Sequence, residues 1–385
     1  MKRISLIAIM ALMGIGSVAA KSSITLPIVG EVVKATNPLI QYVGRVSFAK
    51  NETASFNFPG TSIFARFQGS SLKMICRPMT GYFMAQVDGC EPFKVGFNAE
   101  RDSVVTVADA LPKGENQVKL MYVIEGLFRT PEFRGFVLDK GCSLVKSPDL
   151  PERKIEFIGN SITCGYGVES IEMTDPFEDE TENHWLTYAN IVSDSLNAQH
   201  TSISRSGIGV YRNYDGPKAG SDENMPWQYE YTLFNKHDEK WDFNKYQPQL
   251  VCINLGTNDL STNNYDIAHY EKNYRMFLTT VRSKYPNAKI VLITGPMLGE
   301  KESGEQREVL DRICSDANKK GFTLPEEVRK ARKGKNEGDK DIYRFDFTFQ
   351  TGDLGYGASW HPSKLQHQKM ADELLPFLRN LMGWE

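Results

Sequence analysis

The sequence predicts two domains: an all-β sandwich of jelly-roll type, then an α/β domain built on a parallel sheet. Three observations carry this. Between about Ile28 and Val145, short apolar or alternating runs follow one another with turn residues between them and no helical period. From Lys154 onward, strand-like runs alternate with helical segments, the pattern of strands joined by crossover helices. Between the two stands Lys146–Arg153, KSPDLPER, whose prolines and charges read as a linker. The sandwich is accordingly expected over residues 21–148 and the α/β domain over 149–385.

Ahead of the sandwich, Met1–Ala20 runs from basic (Lys2, Arg3) through apolar (Ile4 to Ile15) to small residues (Val18-Ala19-Ala20), the order of a secretory signal. Residue 21 is Lys rather than Cys, which argues against a lipoprotein anchor. No later stretch supplies the ~20 apolar residues of a membrane span. A secreted or periplasmic chain without a membrane anchor is expected.

In the sandwich the strand candidates are Val43–Phe48, Ala54–Phe58, Ser62–Phe67, Leu72–Ile75, Tyr82–Val87, Ser103–Val107, Gln117–Val123 and Arg134–Leu138. Pro59-Gly60, Gln68-Gly69, Asp88-Gly89 and Lys113-Gly114 punctuate them, as in sandwiches of short strands. Two roles are open to this domain: binding glycan, or walling one side of a cleft. In the α/β domain the strands are expected at Ile155–Ile158, His200–Ser204, Leu250–Leu255, Lys289–Thr294 and Ile342–Phe347, with helices over Trp185–Leu196, Tyr265–Lys284 and Glu305–Lys320. A last helix starts after Ser363, with Gln366 as its capping partner, and is expected to bury Leu365, Ala371, Leu374, Leu375 and Leu378. The mixed-charge run Arg329–Asp341 reads as a solvated loop.

The formal charge of −3 gives no electrostatic reason to expect nucleic acid or an anionic membrane surface as partner. Six scattered cysteines do not make a disulfide scaffold, although a Cys76–Cys90 bridge is open in an oxidising compartment. No pair has the close spacing of a zinc site, and neither metal nor organic cofactor is expected.

In an open parallel sheet, ligands bind beyond the carboxyl ends of the strands. After the first strand comes Gly159-Asn160-Ser161, a tight turn that would present a hydroxyl beside backbone N–H groups, as a nucleophile next to an oxyanion requires. After the second comes Arg205-Ser206-Gly207, where glycine lets a backbone N–H approach a substrate closely. The third is followed by Gly256-Thr257-Asn258-Asp259, which offers an amide donor, and the last by Ser359-Trp360-His361-Pro362, a histidine just ahead of a helix. A nucleophile, two donors and a base thus fall at one edge.

These blocks, GNSIT, the glycine after the second strand, GTND and WHP, resemble those of the SGNH (GDSL-type) hydrolases. The whole chain is more closely similar to carbohydrate esterase family 2, acetyl esterases in which a jelly-roll domain precedes the SGNH domain. The likeness includes FRGFVLDKGCSL at Phe133–Leu144, VYRNYDG at Val210–Gly216, ITGPM at Ile293–Met297 and WHPSKLQHQKMA after Ser359. It implies a flavodoxin-like three-layer catalytic domain and removal of acetyl groups from plant polysaccharides such as xylan and glucomannan, or from their oligosaccharides. Ser161 would be the nucleophile and His361 the base, with an oxyanion hole of the Ser161 and Gly207 N–H groups and the Asn258 amide. Asp259 would brace its loop rather than react.

Two departures from the family pattern stand out. Asn160 occupies a position that is usually Asp, and Ser359 stands where many members have the Asp that orients the histidine. The imidazole is then left with two candidate partners, a main-chain carbonyl near Ser359 or the carboxylate of Asp353. Trp360 is open to stacking on a sugar ring or to anchoring the core, and Tyr166, Tyr211, Trp227 and Tyr229 are candidate cleft aromatics. Competing functions are a lipase- or thioesterase-type SGNH hydrolase and a glycan-binding protein with a decayed site. The lack of a large apolar lid segment weighs against the first, and the joint presence of Ser161, Gly207, Asn258 and His361 against the second.

Overall fold

The computed structural model describes residues 28–49, 52–100, 103–320 and 340–385. The expected signal Met1–Ala20 and nearly all of the charged run before Asp341 lie outside them. Among the described residues, no helix is long and apolar enough to cross a membrane.

Residues from Glu31 to Val145 form two antiparallel sheets of five and six strands. Their alternation of apolar and polar residues explains the packing. Along Leu72–Cys76 and Glu115–Tyr122 the inward side chains close on a core that includes Phe56, Phe67, Phe83, Leu120, Tyr122 and Phe136. Ser62–Gln68, Leu72–Cys76, Gly81–Val87, Val104–Ala108, Glu115–Tyr122 and Glu132–Leu138 match the expected runs to within two residues. The expected Val43–Phe48 strand instead lies at Gln41–Val43, because Gly44 takes a φ of +123° and turns the chain away. Glu31–Lys34, Phe93–Phe97 and Leu144–Val145 are strands the sequence reading missed. The outer ones are short or exposed and lack a strong apolar run. Cys76 and Cys90 are both free, the first buried and the second exposed, so no bridge joins them.

The second domain holds five parallel strands in the spatial order Ala198–Ser204, Arg153–Gly159, Leu250–Asn254, Lys289–Thr294, Ile342–Asp346. This is the flavodoxin-like order, second-first-third-fourth-fifth in sequence. The strands are apolar on both faces because both are covered. Ile253, Ile290 and Leu292 face a core completed by Ile267–Lys284 and Glu300–Lys320, while Phe157, Cys252 and Val291 face Tyr188–Ser195 and Lys364–Met382. The helix expected over Trp185–Leu196 is broken. Thr187 is extended at φ −81°, ψ 158°, separating a short 3₁₀ turn, His184–Leu186, from the helix Tyr188–Ser195. Ser363 caps the last helix by accepting the Gln366 N–H at 3.1 Å. That helix buries Ala371, Leu374 and Leu378, but Leu365, in its first turn, is exposed. An antiparallel hairpin, Tyr231–Leu233 with Lys236–Lys240, was not foreseen, since its second strand is almost wholly charged.

Candidate active site

The interior strand Arg153–Gly159 ends at Asn160, whose side-chain oxygen accepts the Ile162 N–H at 3.0 Å and starts the short helical turn Ser161–Cys164. Asn160 therefore does with an amide what a carboxylate would do there, and the lost charge leaves the cap in place. Gly159 is required by space, since a Cβ would sit 2.1 Å from Thr163 Oγ1. The turn ends at Gly165, in the left-handed conformation at φ 92°, and the chain continues to Gly167.

Gly167 is where the segment that carries Ser161 meets the loop that carries His361. Its carbonyl accepts the Ala358 N–H at 3.0 Å, and a Cβ on it would lie 2.3 Å from that of Ala358. From there Ser359 and Trp360 adopt positive φ, 51° and 59°, which for non-glycine residues costs about 1–2 kcal/mol each. Surrounding bonds hold the strained pair. Trp360 N–H donates to Met173 O at 3.3 Å, Gln350 Nε2 donates to Trp360 O at 2.8 Å, and Gly357 N–H donates to His361 O at 2.8 Å. The result is an imidazole in a defined place. His361 Nε2 lies 2.8 Å from Ser161 Oγ, and His361 Nδ1 lies 3.0 Å from Ala358 O. A carbonyl can only accept, so Nδ1 carries the proton and Nε2 presents its lone pair to the serine hydroxyl.

Of the two candidate partners for the imidazole, the main-chain carbonyl stands at Nδ1, supplied by Ala358, one residue before the expected position. Asp353 is exposed, and its carboxylate accepts from Thr351 Oγ1 at 2.9 Å. Burial pushes the His361 pKa down to about 4, against smaller opposing effects of the backbone bonds. The ring of Tyr166 stacks on that of His361, with centroids 4.1 Å apart and planes 24° apart, and Phe177 backs Tyr166.

The two expected donors follow the strands on either side of Arg153–Gly159. Gly207 follows Ala198–Ser204 with φ 72°, and a Cβ there would meet nothing within 4 Å, so glycine is present for its backbone conformation at an open face. Asn258 lies in the turn Thr257–Leu260 after Leu250–Asn254. One N–H of its amide donates to Ile208 O at 2.7 Å, which fixes the amide and leaves its other N–H. Asp259 is fully buried and braces the same loop: its carboxylate accepts the N–H groups of Val210, Tyr211 and Arg212 at 2.8–3.2 Å. Burial raises its pKa to about 6.

Residues 155–374 match the GDSL-like lipase/acylhydrolase family, and residues 42–148 match the carbohydrate esterase 2 N-terminal domain. A solved family two carbohydrate esterase from Clostridium thermocellum, in complex with cellohexaose, superposes with a TM-score of 0.79 at 33% identity, covering 90% of this chain and 100% of that one. The chain belongs to carbohydrate esterase family 2. It is also 34% identical over 351 residues to the cellulase/esterase CelE of Acetivibrio thermocellus, spanning 90% of this chain but only 40% of that larger protein. An acetylxylan esterase / glucomannan deacetylase of Cellvibrio japonicus is 27% identical, with 91% of each chain aligned.

Within this family 2 fold the cleft aromatics divide. Trp360 is 52% exposed beside His361. Tyr211 is only 2% exposed and Tyr229 is buried; their hydroxyls meet Asp266 N–H at 2.9 Å and Glu156 Oε1 at 2.6 Å, so both are core residues rather than cleft walls. Trp227 packs its ring on His237, 3.6 Å between centroids, and on Tyr231, and so belongs to the hairpin. The sequence reading missed Ala358, Gln350 and the stacking role open to Tyr166. It also missed a buried cluster, Glu125, Cys164 and Glu182, whose polar atoms lie within 4.8 Å of one another. No local spacing announces that cluster, because its members come from both domains.

Proposed function

We propose that this protein is an exported carbohydrate O-acetyl esterase that works by a serine–histidine dyad and a covalent acetyl-enzyme. The observation that carries the reading is the 2.8 Å contact between Ser161 Oγ and His361 Nε2 beyond the end of Arg153–Gly159, with Gly207 and Asn258 beyond the ends of the two flanking strands. Ser161 Oγ attacks the acetyl carbonyl as His361 Nε2 takes its proton. The N–H groups of Ser161 and Gly207 and the free N–H of Asn258 bind the developing oxyanion. The intermediate collapses as His361 returns the proton to the sugar oxygen, and water repeats the sequence on acetyl-Ser161. Ala358 O holds the tautomer and contributes a dipole where a triad would contribute a full charge.

The sugar specificity is inferred from relatives named for acetylxylan and glucomannan and from one solved with cellohexaose. The exposed Trp360 indole, next in sequence to the base, suits the apolar face of a pyranose, and Tyr166 stacks on the imidazole. Export, read from Met1–Ala20, fits a polymer that cannot enter a cell.

The test is acetate release from acetylated xylan, acetylated glucomannan, an aryl acetate and an aryl octanoate, by wild type and Ser161→Ala. Release from the acetyl esters, lost in Ser161→Ala, is expected. Preference for the octanoate, or glycan binding with no release by wild type, would overturn the reading.

A further inference from the structure

We propose that Glu125, supplied by the sandwich domain, is a positioning residue for the oxyanion side of the catalytic site; the inference rests on the esterase reading above. Glu125 lies just beyond the strand Glu115–Tyr122 and is buried. Its Oε2 accepts the backbone N–H of Ser206 at 2.6 Å, across the boundary between the domains. Its own N–H donates to Glu182 Oε2 at 2.9 Å, so the α/β domain in turn holds Glu125.

Ser206 immediately precedes Gly207, and the peptide between them carries the N–H assigned to the oxyanion. Gly207 cannot fix that peptide by packing: it has no side chain, its φ is 72°, and the space beside its Cα is open. Its orientation must come from its surroundings: the turn around it is closed only by a long bond, Ile208 N–H to Arg205 O at 3.4 Å, and two further bonds flank it. On one side Glu125 holds Ser206 N–H; on the other, Tyr214 N–H donates to Gly207 O at 2.8 Å. The same cluster reaches Cys164, the last residue of the turn that begins at Ser161. One sandwich side chain therefore touches the peptide leading to one donor and lies against the turn bearing the nucleophile.

Placing two carboxyl groups together in a buried interface is unfavourable: burial pushes both Glu125 and Glu182 above the ordinary carboxylate range, and the charge of Glu125 adds to the rise in Glu182. An apolar pair would fill the space without that penalty. An apolar side chain could not accept the Ser206 N–H.

The experiment compares Glu125→Ala, Glu125→Gln and Glu125→Asp with wild type in the full chain, measuring kcat and KM for an aryl acetate together with the thermal midpoint. Glu125→Ala is expected to lower kcat by ~10- to 100-fold with KM within about 2-fold, the signature of a misplaced oxyanion donor. Glu125→Gln keeps an oxygen at the same reach and is expected to restore most of kcat, while Glu125→Asp, one methylene shorter, is not. A folded Glu125→Ala with wild-type kcat overturns the inference, as does a kcat order that places Asp above Gln. Should Glu125→Ala fail to fold, the order of Gln and Asp decides. Wild type inactive on every acetyl ester would remove the esterase reading, and this inference with it. An active wild type whose kcat the variants do not move removes this inference alone.

Discussion

A neutral imidazole can take the Ser161 proton only while its Nε2 lone pair is free, so the acid limb of kcat/KM reports protonation of His361 in the free enzyme. Burial lowers that pKa, which means the neutral form persists to lower pH than in an ordinary histidine. Activity is expected to fall as pH drops through about 4, rather than near the unperturbed value of about 6.5. A profile of kcat/KM from pH 3 to 8 checks it, and a limb near neutrality would contradict it. Consistent with a carbonyl partner, Asp353→Asn should leave kcat within about 2-fold of wild type, because its carboxylate is exposed and engaged with Thr351. Asn258→Ala should lower kcat by ~10²–10³-fold in steady-state assays, since it removes the proposed oxyanion donor and frees the Ile208 carbonyl. The proposed residues Ser161, Gly207 and Asn258 could be picked out in the sequence because each closely follows a strand, and His361 because it stands just ahead of the helix capped by Ser363. The partner of His361 could not, for a main-chain carbonyl carries no side-chain signature.

At the level of elements, the apolar runs located the five parallel strands, and Lys289–Thr294 matches to the residue. What the runs could not show is how the loops between elements turn. Ser359 and Trp360 both take positive φ, yet neither residue type announces it. Tyr211 illustrates the same limit: an aromatic in a loop beside the site looks like a cleft wall until the loop folds and turns it inward against Asp266. The close approach of the Ser161 segment to the His361 loop depends on glycine. Gly167→Ala would put a methyl group 2.3 Å from the Ala358 Cβ at a left-handed position. It is expected to cost about 1–3 kcal/mol of stability in a denaturant titration and to lower kcat with the fold retained, because Ala358 carries the carbonyl that orients His361.

For the molecule as a whole, the break in composition near residues 146–153 marks where one pattern gives way to the other, but not how tightly the halves interlock. Arg45, in the sandwich, is fully buried among Phe58, Tyr229, Trp241 and Phe243, and donates to the carbonyls of Tyr229 and Tyr231, the latter at 2.8 Å. Such partners lie some 185 positions apart, as their separations of 184 and 186 show, so no local pattern could reveal them. With shared buried groups of this kind, the two domains should unfold together in one calorimetric transition, and two resolved transitions would show them to be independent. Arg45→Ala should destabilise the protein by about 3–5 kcal/mol, measured by denaturant unfolding, because it strips a desolvated cation from its acceptors and leaves a cavity.

The serine–histidine pairing is tested most directly by covalent labelling. Wild type, His361→Ala and Asp353→Asn would be reacted with an aryl alkylphosphonate and the adduct followed by intact mass and peptide mapping. The dyad predicts a single adduct on Ser161, formed ~10³-fold or more slowly in His361→Ala and at the wild-type rate in Asp353→Asn. An adduct on another residue, or His361→Ala labelling as fast as wild type, would contradict it.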